Sequence, residues 1–200
     1  MNLYECEVRF FVDNPQTFTD KLKQLGAKLK LHYEFYDHYF APFDFNTVPK
    51  LWWHPRNCSM RLREWQSPAS RPEICFTHVV CVDKGDTHFK RSLYQQGKIV
   101  LFQGEYAECE RLLSDIGFER WFIVMKRDCT LWELQQYDMS VACEYIHGLG
   151  WMAELEAEGE DIVQAEKKLK NSLNLFEVSK DKLIWKPLSV VFAEQHGFLQ

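Results

Sequence analysis

"YECEVRF", residues 4–10, alternates without exception: Tyr4, Cys6, Val8 and Phe10 are apolar, and Glu5, Glu7 and Arg9 between them are charged. Successive side chains of a strand point to opposite faces. The stretch therefore reads as a strand with one apolar face and one face that carries two carboxylates and a guanidinium in a row. Such a strand belongs to a sheet with a packed side and a polar side. The polar side either meets water or lines an enclosed space, and the rest of the chain bears on which.

The same alternation recurs. "LHYEFYDHYF" (31–40) reads as an aromatic-rich strand, and "CSMRLREW" (58–65) puts Arg61 and Arg63 on one face with Met60 and Leu62 on the other. "ICFTHVVCV" (74–82), "KIVLF" (98–102), "RWFIVMKRD" (120–128), "TLWEL" (130–134) and "MSVACEYI" (139–146) follow as strands. After the turn "HGLG" (147–150), "WMAELEAE" (151–158) alternates again with Glu154, Glu156 and Glu158 on one face. Residues 41–57, with three prolines, predict a long loop, and the polar run 83–98 predicts turn and loop.

Helices are interspersed. Asn14 suits an N-cap, Pro15 the first helical position and Gly26 the C-terminal cap, with Phe18, Leu22 and Leu25 as the apolar stripe. Residues 105–116 form a second helix ended by Gly117, and 159–174 a third with Ile162, Ala165, Leu169 and Leu173 at helical spacing. A last helix falls within 179–195, kinked or split by Pro187. The total is about eight strands and three or four helices, an α+β chain. Its antiparallel sheet curls or closes with helices packed outside.

Two hundred residues fit one domain spanning 1–200, and 46% hydrophobic content supplies a sizeable core. A net charge of −5 excludes a global basic field for nucleic acid. The seven cysteines are odd in number and none has CxxC spacing, so neither a disulfide framework nor a zinc site is expected. Together with the absence of signal-peptide features and of any run of membrane-spanning length, this predicts a cytoplasmic protein with no membrane partner.

The charged faces segregate by sign. Glu5/Glu7, Glu154/Glu156/Glu158 and Glu144 (sharing a face with Ala142 and Ser140) are acidic, whereas Arg61/Arg63 is basic. Lys126 and Arg127 are adjacent, so only one of them points inward on a regular strand. A single charged strand is most often a solvated sheet face. The recurrence of Glu-x-Glu on two distant strands weighs against that, because paired carboxylates on one face repel unless a cation lies between them. A hard divalent ion, Mg²⁺ or Mn²⁺, suits an all-oxygen cluster. A facing basic wall suits a phosphate chain bridged to that ion.

"ECEVR" (5–9), "MRLRE" (60–64) and "CEYIHGLGWMAELE" (143–156), in that order, resemble the CYTH superfamily of triphosphate tunnel metalloenzymes. This superfamily includes class IV adenylyl cyclases, thiamine triphosphatases and inorganic tripolyphosphatases. The superfamily's Glu-x-Glu-x-Lys reads here Glu5-x-Glu7-x-Arg9, and its late Asp is Glu144. Its Lys after Arg-x-Arg has only His78 near the matching place, and Lys126-Arg127 does not reproduce its later basic spacing, so a thinner basic wall is expected. "SKDKLIWKPL" (179–188) resembles the basic C-terminal helix of the thiamine triphosphatase branch, with Lys182 the match.

The resemblance implies an eight-stranded antiparallel closed barrel with a hydrophilic interior and helices outside. It implies that Glu5, Glu7, Glu144, Glu154 and Glu156 hold one or two Mg²⁺ or Mn²⁺ ions, with Glu5, Glu7, Glu154 and Glu156 catalytic. It implies that Arg9, Arg61, Arg63, Lys126, Arg127 and Lys182 grip the phosphates. The implied activity is metal-dependent hydrolysis of a small-molecule triphosphate, inorganic tripolyphosphate or an organic one such as thiamine triphosphate. The alternatives are an adenylyl cyclase that directs the ribose 3′-hydroxyl at the α-phosphate of ATP, and a non-catalytic polyanion binder.

Overall fold

A computed structural model of the chain describes residues 4–45, 53–84, 87–94, 97–184 and 186–199. The strands are β1 (Tyr4–Phe11), β2 (Lys28–Pro42), β3 (Cys58–Ser67), β4 (Glu73–Lys84), β5 (Thr87–Ser92), β6 (Ile99–Gln103), β7 (Phe118–Leu134), β8 (Met139–Ile146), β9 (Gly150–Gly159) and β10 (Leu183–Ile184). The helices are α1 (Pro15–Gln24), α2 (Tyr106–Asp115), α3 (Ile162–Phe176) and α4 (Leu188–Gln195).

Every strand pairing is antiparallel, and the order β1-β5-β4-β3-β2-β7-β8-β9 returns to β1 through an eight-residue register from Tyr4↔Gly159 to Phe11↔Met152. The result is a closed eight-stranded barrel, which leaves those strands without an open edge. Two short strands lie off this path. β6 shares an edge of β4 with β5, and β10 shares an edge of β1 with β5.

The helices pack where the outward faces are apolar. Cys6, Val8 and Phe10 of β1 bury against Leu22 of α1 and Ala165, Leu169 and Phe176 of α3. α2 packs through Cys109 and Leu113 onto Phe40, Met60, Leu62 and Ile74. α1 starts as its sequence dictates, with the Asn14 side chain accepting from the Thr17 amide at 3.0 Å. No helix among the described residues is long and apolar enough to cross a membrane.

The inward faces change character along the barrel. Tyr39, Val124, Ile146 and Met152 stand two residues from Asp37, Lys126, Glu144 and Glu154 on their strands, and so share their face. These apolar residues form one cluster with Leu188, Phe192 and Ala193 of α4. The rings of Tyr39, Phe122 and Phe192 stack in series at 4.9 and 5.4 Å. α4 thus seats on an apolar floor inside one end of the barrel, with the charged layer above it.

Several local expectations need correction. The polar run 83–98 contains β5, whose pairing with β1 and β4 outweighs its weak strand propensity. The two strands predicted over 120–134 are one, β7, broken only in register between Arg127 and Thr130. The third helix begins at Ile162, after Asp161 caps it, and not at 159. The final helix is confined to Leu188–Gln195, with Pro187 at its N-cap where a missing N–H costs nothing; β10 precedes it. Residues 46–52 of the predicted long loop lie outside the described residues, while β2 extends to Pro42.

Candidate functional site

The inward side chains surround a cavity of about 440 Å³. β1 contributes Glu5, Glu7 and Arg9; β3 Arg61 and Arg63; β7 Lys126; β8 Glu144; and β9 Glu154 and Glu156. Residues from four quarters of the sequence therefore meet in one space. The strand period explains this: each contributes alternate residues to the interior. Closure of β9 onto β1 sets Glu156 opposite Glu7 and Glu154 opposite Arg9.

Two expected groups lie elsewhere. Arg127 is exposed on the outer surface, its guanidinium 3.1 Å from the Tyr36 hydroxyl. The neighbouring Lys126 takes the interior, as two adjacent residues of a strand cannot share a face. Lys182 is also exposed and bonds Asp13 at 2.8 Å. From the C-terminal segment the cavity receives Pro187, Leu188 and Ser189 instead. His78 is flanked by the cavity-lining Thr77 and Val79 and is not itself in the lining.

Three cavity residues carry charge that the sequence patterns did not single out. Lys90 of β5 is buried at 2% exposure, bonds Glu7 and stands 3.7 Å from Glu154. Asp37 of β2 is 1% exposed and accepts a two-pronged bond from Arg63, Nε to Oδ1 at 2.8 Å and Nη2 to Oδ2 at 2.9 Å. Lys98 bonds Glu73 at 2.8 Å at the cavity edge. Lys90 and Lys98 thus add two lysines to the basic side chains that line the cavity. The signal for Asp37 was its parity with Tyr33, Phe35 and Tyr39. Lys90 had none, since "HFKRS" carries no alternation of polarity.

The acids are not equivalent. One oxygen each of Glu7, Glu154 and Glu156 lies within 4.8 Å of the others. Glu144 stands outside that group: Lys126 Nζ bonds both its oxygens at 2.7 Å, and the Tyr33 hydroxyl donates to it at 2.7 Å. Arg9 bonds Glu154 and approaches Glu144 at 4.0 Å.

Electrostatics divide the cavity. Burial would raise the Glu154 carboxyl, but Arg9, Lys90 and Lys126 beside it outweigh burial and hold it below its ordinary range. Burial acts likewise on Asp37, and Arg63 and Arg61 likewise hold it low. Glu5 and Glu156 lack such partners. Burial, then the charges of Glu156, Glu7 and Glu154, push Glu5 up to about 9. Burial, then Glu154 and Glu7, push Glu156 up to about 8, against the donated bond of the Ser140 hydroxyl at 3.0 Å. Glu7 is raised by burial and Glu154, only partly offset by Lys90 and Arg9. This part of the site is short of positive charge.

That shortage and the donor set fit a divalent cation. Carboxylate oxygens at this mutual distance suit Mg²⁺ or Mn²⁺, which take hard oxygen ligands. The arginines Arg9, Arg61 and Arg63 offer forked donors to phosphate oxygens, and the Nε atoms of Arg9 and Arg61 are buried with no hydrogen-bond partner among the described residues.

No protein-family model matches the chain, and no curated protein matches it. Solved structures do. A conserved hypothetical protein from Pyrococcus furiosus superposes with a TM-score of 0.69 at 15% identity, over 92% of this chain and 98% of that one. A Vibrio parahaemolyticus protein described as a "putative adenylate cyclase" gives 0.66 at 15% identity over 96% and 99%. A Hippeastrum protein, described as a "putative adenylyl cyclase" with a dominant triphosphatase activity, gives 0.60 at 11% identity over 100% and 98%. The chain thus shares the fold of these solved structures, a closed eight-stranded antiparallel barrel with helices packed outside.

Proposed function

We propose that the barrel binds a small-molecule triphosphate together with Mg²⁺ or Mn²⁺ and hydrolyses one of its phosphoanhydride bonds. One observation carries this: Glu7, Glu154 and Glu156 converge within 4.8 Å in the same buried cavity as Arg9, Arg61, Arg63, Lys90 and Lys126. A solvated sheet face would not enclose both signs of charge in one space. A bound divalent ion would neutralise charge on the transferring phosphoryl group and lower the pKa of a coordinated water. The protein's own part is orientation. Asp37 fixes the Arg63 fork, and the Phe35 ring stacks against its guanidinium at 3.6 Å. Glu144 and Tyr33 fix Lys126 from the other wall. Cations held this way present charge with little reorganisation when a phosphate chain enters.

The test is a product panel. Tripolyphosphate, thiamine triphosphate and ATP are each incubated with Mg²⁺ or Mn²⁺, and orthophosphate, pyrophosphate and cyclic AMP are measured. Orthophosphate from at least one substrate, abolished by EDTA, is expected. Cyclic AMP with pyrophosphate would replace hydrolysis by cyclisation. Tight binding without product would make the barrel a polyanion binder. Full turnover after exhaustive EDTA treatment would remove the metal from the account.

A further inference from the structure

Lys90 differs from the other buried cations of the cavity in what holds it. Phe89 beside it is buried in the apolar cluster under α1 and α3, and a strand alternates, so Lys90 turns into the barrel. It stands opposite Glu7 across the β1–β5 pair, and Glu7 stands opposite Glu156 across the β1–β9 pair. The ammonium bonds Glu7 Oε1 and lies 3.7 Å from Glu154 Oε1. Glu7, Glu154 and Glu156 are the acids whose oxygens converge. Lys90 therefore already pairs with two of the three carboxylates that a divalent ion would draw on.

The neighbouring cations are anchored outside those three acids. Lys126 bonds both oxygens of Glu144 at 2.7 Å, and the Tyr33 hydroxyl donates to the same carboxylate. Arg63 is forked onto Asp37. Arg9 bonds Glu154 but also approaches Glu144 at 4.0 Å. Both ion-pair partners of Lys90 among the described residues belong to the converging three. An ammonium on a flexible four-carbon stem re-aims its donors freely, whereas a forked guanidinium must break two bonds at once. A divalent ion held by Glu7 and Glu154 would take both partners of Lys90. A buried ammonium left without an anion is strongly unfavourable. That penalty falls on the ion bound alone, and it is relieved when a phosphate oxygen enters the same cavity.

We propose that Lys90 is an exchangeable counter-ion: it occupies Glu7 and Glu154 in the metal-free barrel, competes with the divalent ion for them, and turns to a phosphate oxygen when ion and phosphate chain bind together. The proposal rests on the triphosphate reading above and deepens it. It has a thermodynamic signature. Lys90 weakens binding of the ion alone and strengthens the mutual dependence of ion and phosphate chain, a coupling that is reciprocal between the two ligands. A lysine that acted only as a fixed phosphate contact would not hold the ion off in the absence of phosphate.

The test uses the full chain, Mn²⁺ and a methylene-bridged, non-hydrolysable tripolyphosphate analogue, with Kd read by calorimetry. Lys90→Met keeps an unbranched apolar stem and removes the charge. Lys90→Gln removes the charge but leaves a donor for Glu7, and it carries the test if the first variant does not fold. Without the analogue, either variant should bind Mn²⁺ about tenfold more tightly than wild type, since one charge-assisted bond no longer has to be broken. The factor by which saturating analogue tightens Mn²⁺ binding should be about five times larger in wild type than in the variants. Lys126→Met, whose partner Glu144 lies outside the three acids, should gain much less affinity for Mn²⁺ alone. Mn²⁺ affinity in the Lys90 variants equal to or below that of a wild type that binds ion and analogue overturns the exchange and leaves the triphosphate reading standing. An equal gain in Lys126→Met overturns it too, as an effect of the cavity's net charge. A wild type that binds the analogue neither with nor without Mn²⁺ overturns the triphosphate reading, and the exchange with it.

Discussion

Asp37 and Lys90 do at single positions what the motif residues require. Asp37 neutralises and clamps Arg63 and lies 3.7 Å from Arg61 Nε. Removing one partner of a buried pair leaves an uncompensated charge, at a cost of about 3–5 kcal/mol. Asp37→Asn should therefore destabilise the protein by roughly that amount at pH 7 and raise the KM for the preferred triphosphate. The pH dependence has a definite sign. The Asp37 carboxyl is held below its unfolded value, so its contribution is present above an unfolded pKa of about 3.9 and is lost as pH falls through the folded one. Urea melts of wild type and Asp37→Asn should converge as the pH drops below about 4. A gap that stays constant down to pH 2.5 would show that the ion pair contributes nothing. Lys90→Met should likewise lower stability in the metal-free protein, because Glu7 and Glu154 lose their shared cation. Unchanged stability in that variant would mean the lysine is a spectator.

At the scale of elements, the bulge in β7 and the turn before β6 decide which groups face inward. The register shift between Arg127 and Thr130, with Asp128 at φ 49°, lets a seventeen-residue strand serve both β2 and β8 while Lys126 stays inside. Gly97 has φ 73°, and a Cβ there would stand 2.7 Å from Glu5 Oε1. Gly97→Ala must strain the backbone and push the Glu5 carboxylate aside. It should lower the melting temperature and weaken the Mn²⁺-induced shift, whereas Gly26→Ala, also at positive φ but with open space around it, should lower only the melting temperature. Equal metal shifts in the two variants would place Glu5 outside the cation site. At the start of α1, Asn14→Ala removes the cap on the Thr17 amide and should cost about 1 kcal/mol with no effect on activity.

For the whole barrel the deciding quantity is its internal charge. Glu5 and Glu156 bind protons in the folded state, up to about 9 and about 8, that the unfolded chain releases near 4.5. Between those values the folded state holds more protons, so the stability of the metal-free protein should fall as pH rises from about 4.5 to about 9. On the proposed cation site, Mg²⁺ should bind only the folded arrangement and stabilise it more at pH 8.5 than at pH 6. The double change Glu5→Gln with Glu7→Gln keeps shape and removes repulsion. The metal-free variant should be as stable as wild type or more so, and it should lose both the Mg²⁺ shift and metal-dependent turnover. Equal Mg²⁺ shifts in wild type and double variant would exclude these two glutamates as ligands.

Much of this was legible in one dimension. Alternation with period two is a property of the extended backbone, so "YECEVRF", "CSMRLREW" and "WMAELEAE" state by themselves which side chains share a face. The caps of α1 are equally local. Sign segregation of Glu5/Glu7, Glu154/Glu156 and Arg61/Arg63 weighed against a solvated sheet face, while the enclosed charged interior was what the family resemblance implied. What a face looks onto is not local. Arg9 meets Glu154 across 145 residues of chain and Lys90 meets Glu7 across 83, and no spacing in the sequence encodes either distance. Strand propensity failed at β5 because pairing on both edges, not residue type, makes it a strand. That Lys126 and not Arg127, and Pro187, Leu188 and Ser189 and not Lys182, line the cavity could not be read from composition. The bulge in β7 and the seating of α4 on an apolar floor made those choices, because both depend on packing that exists only once β9 has closed onto β1.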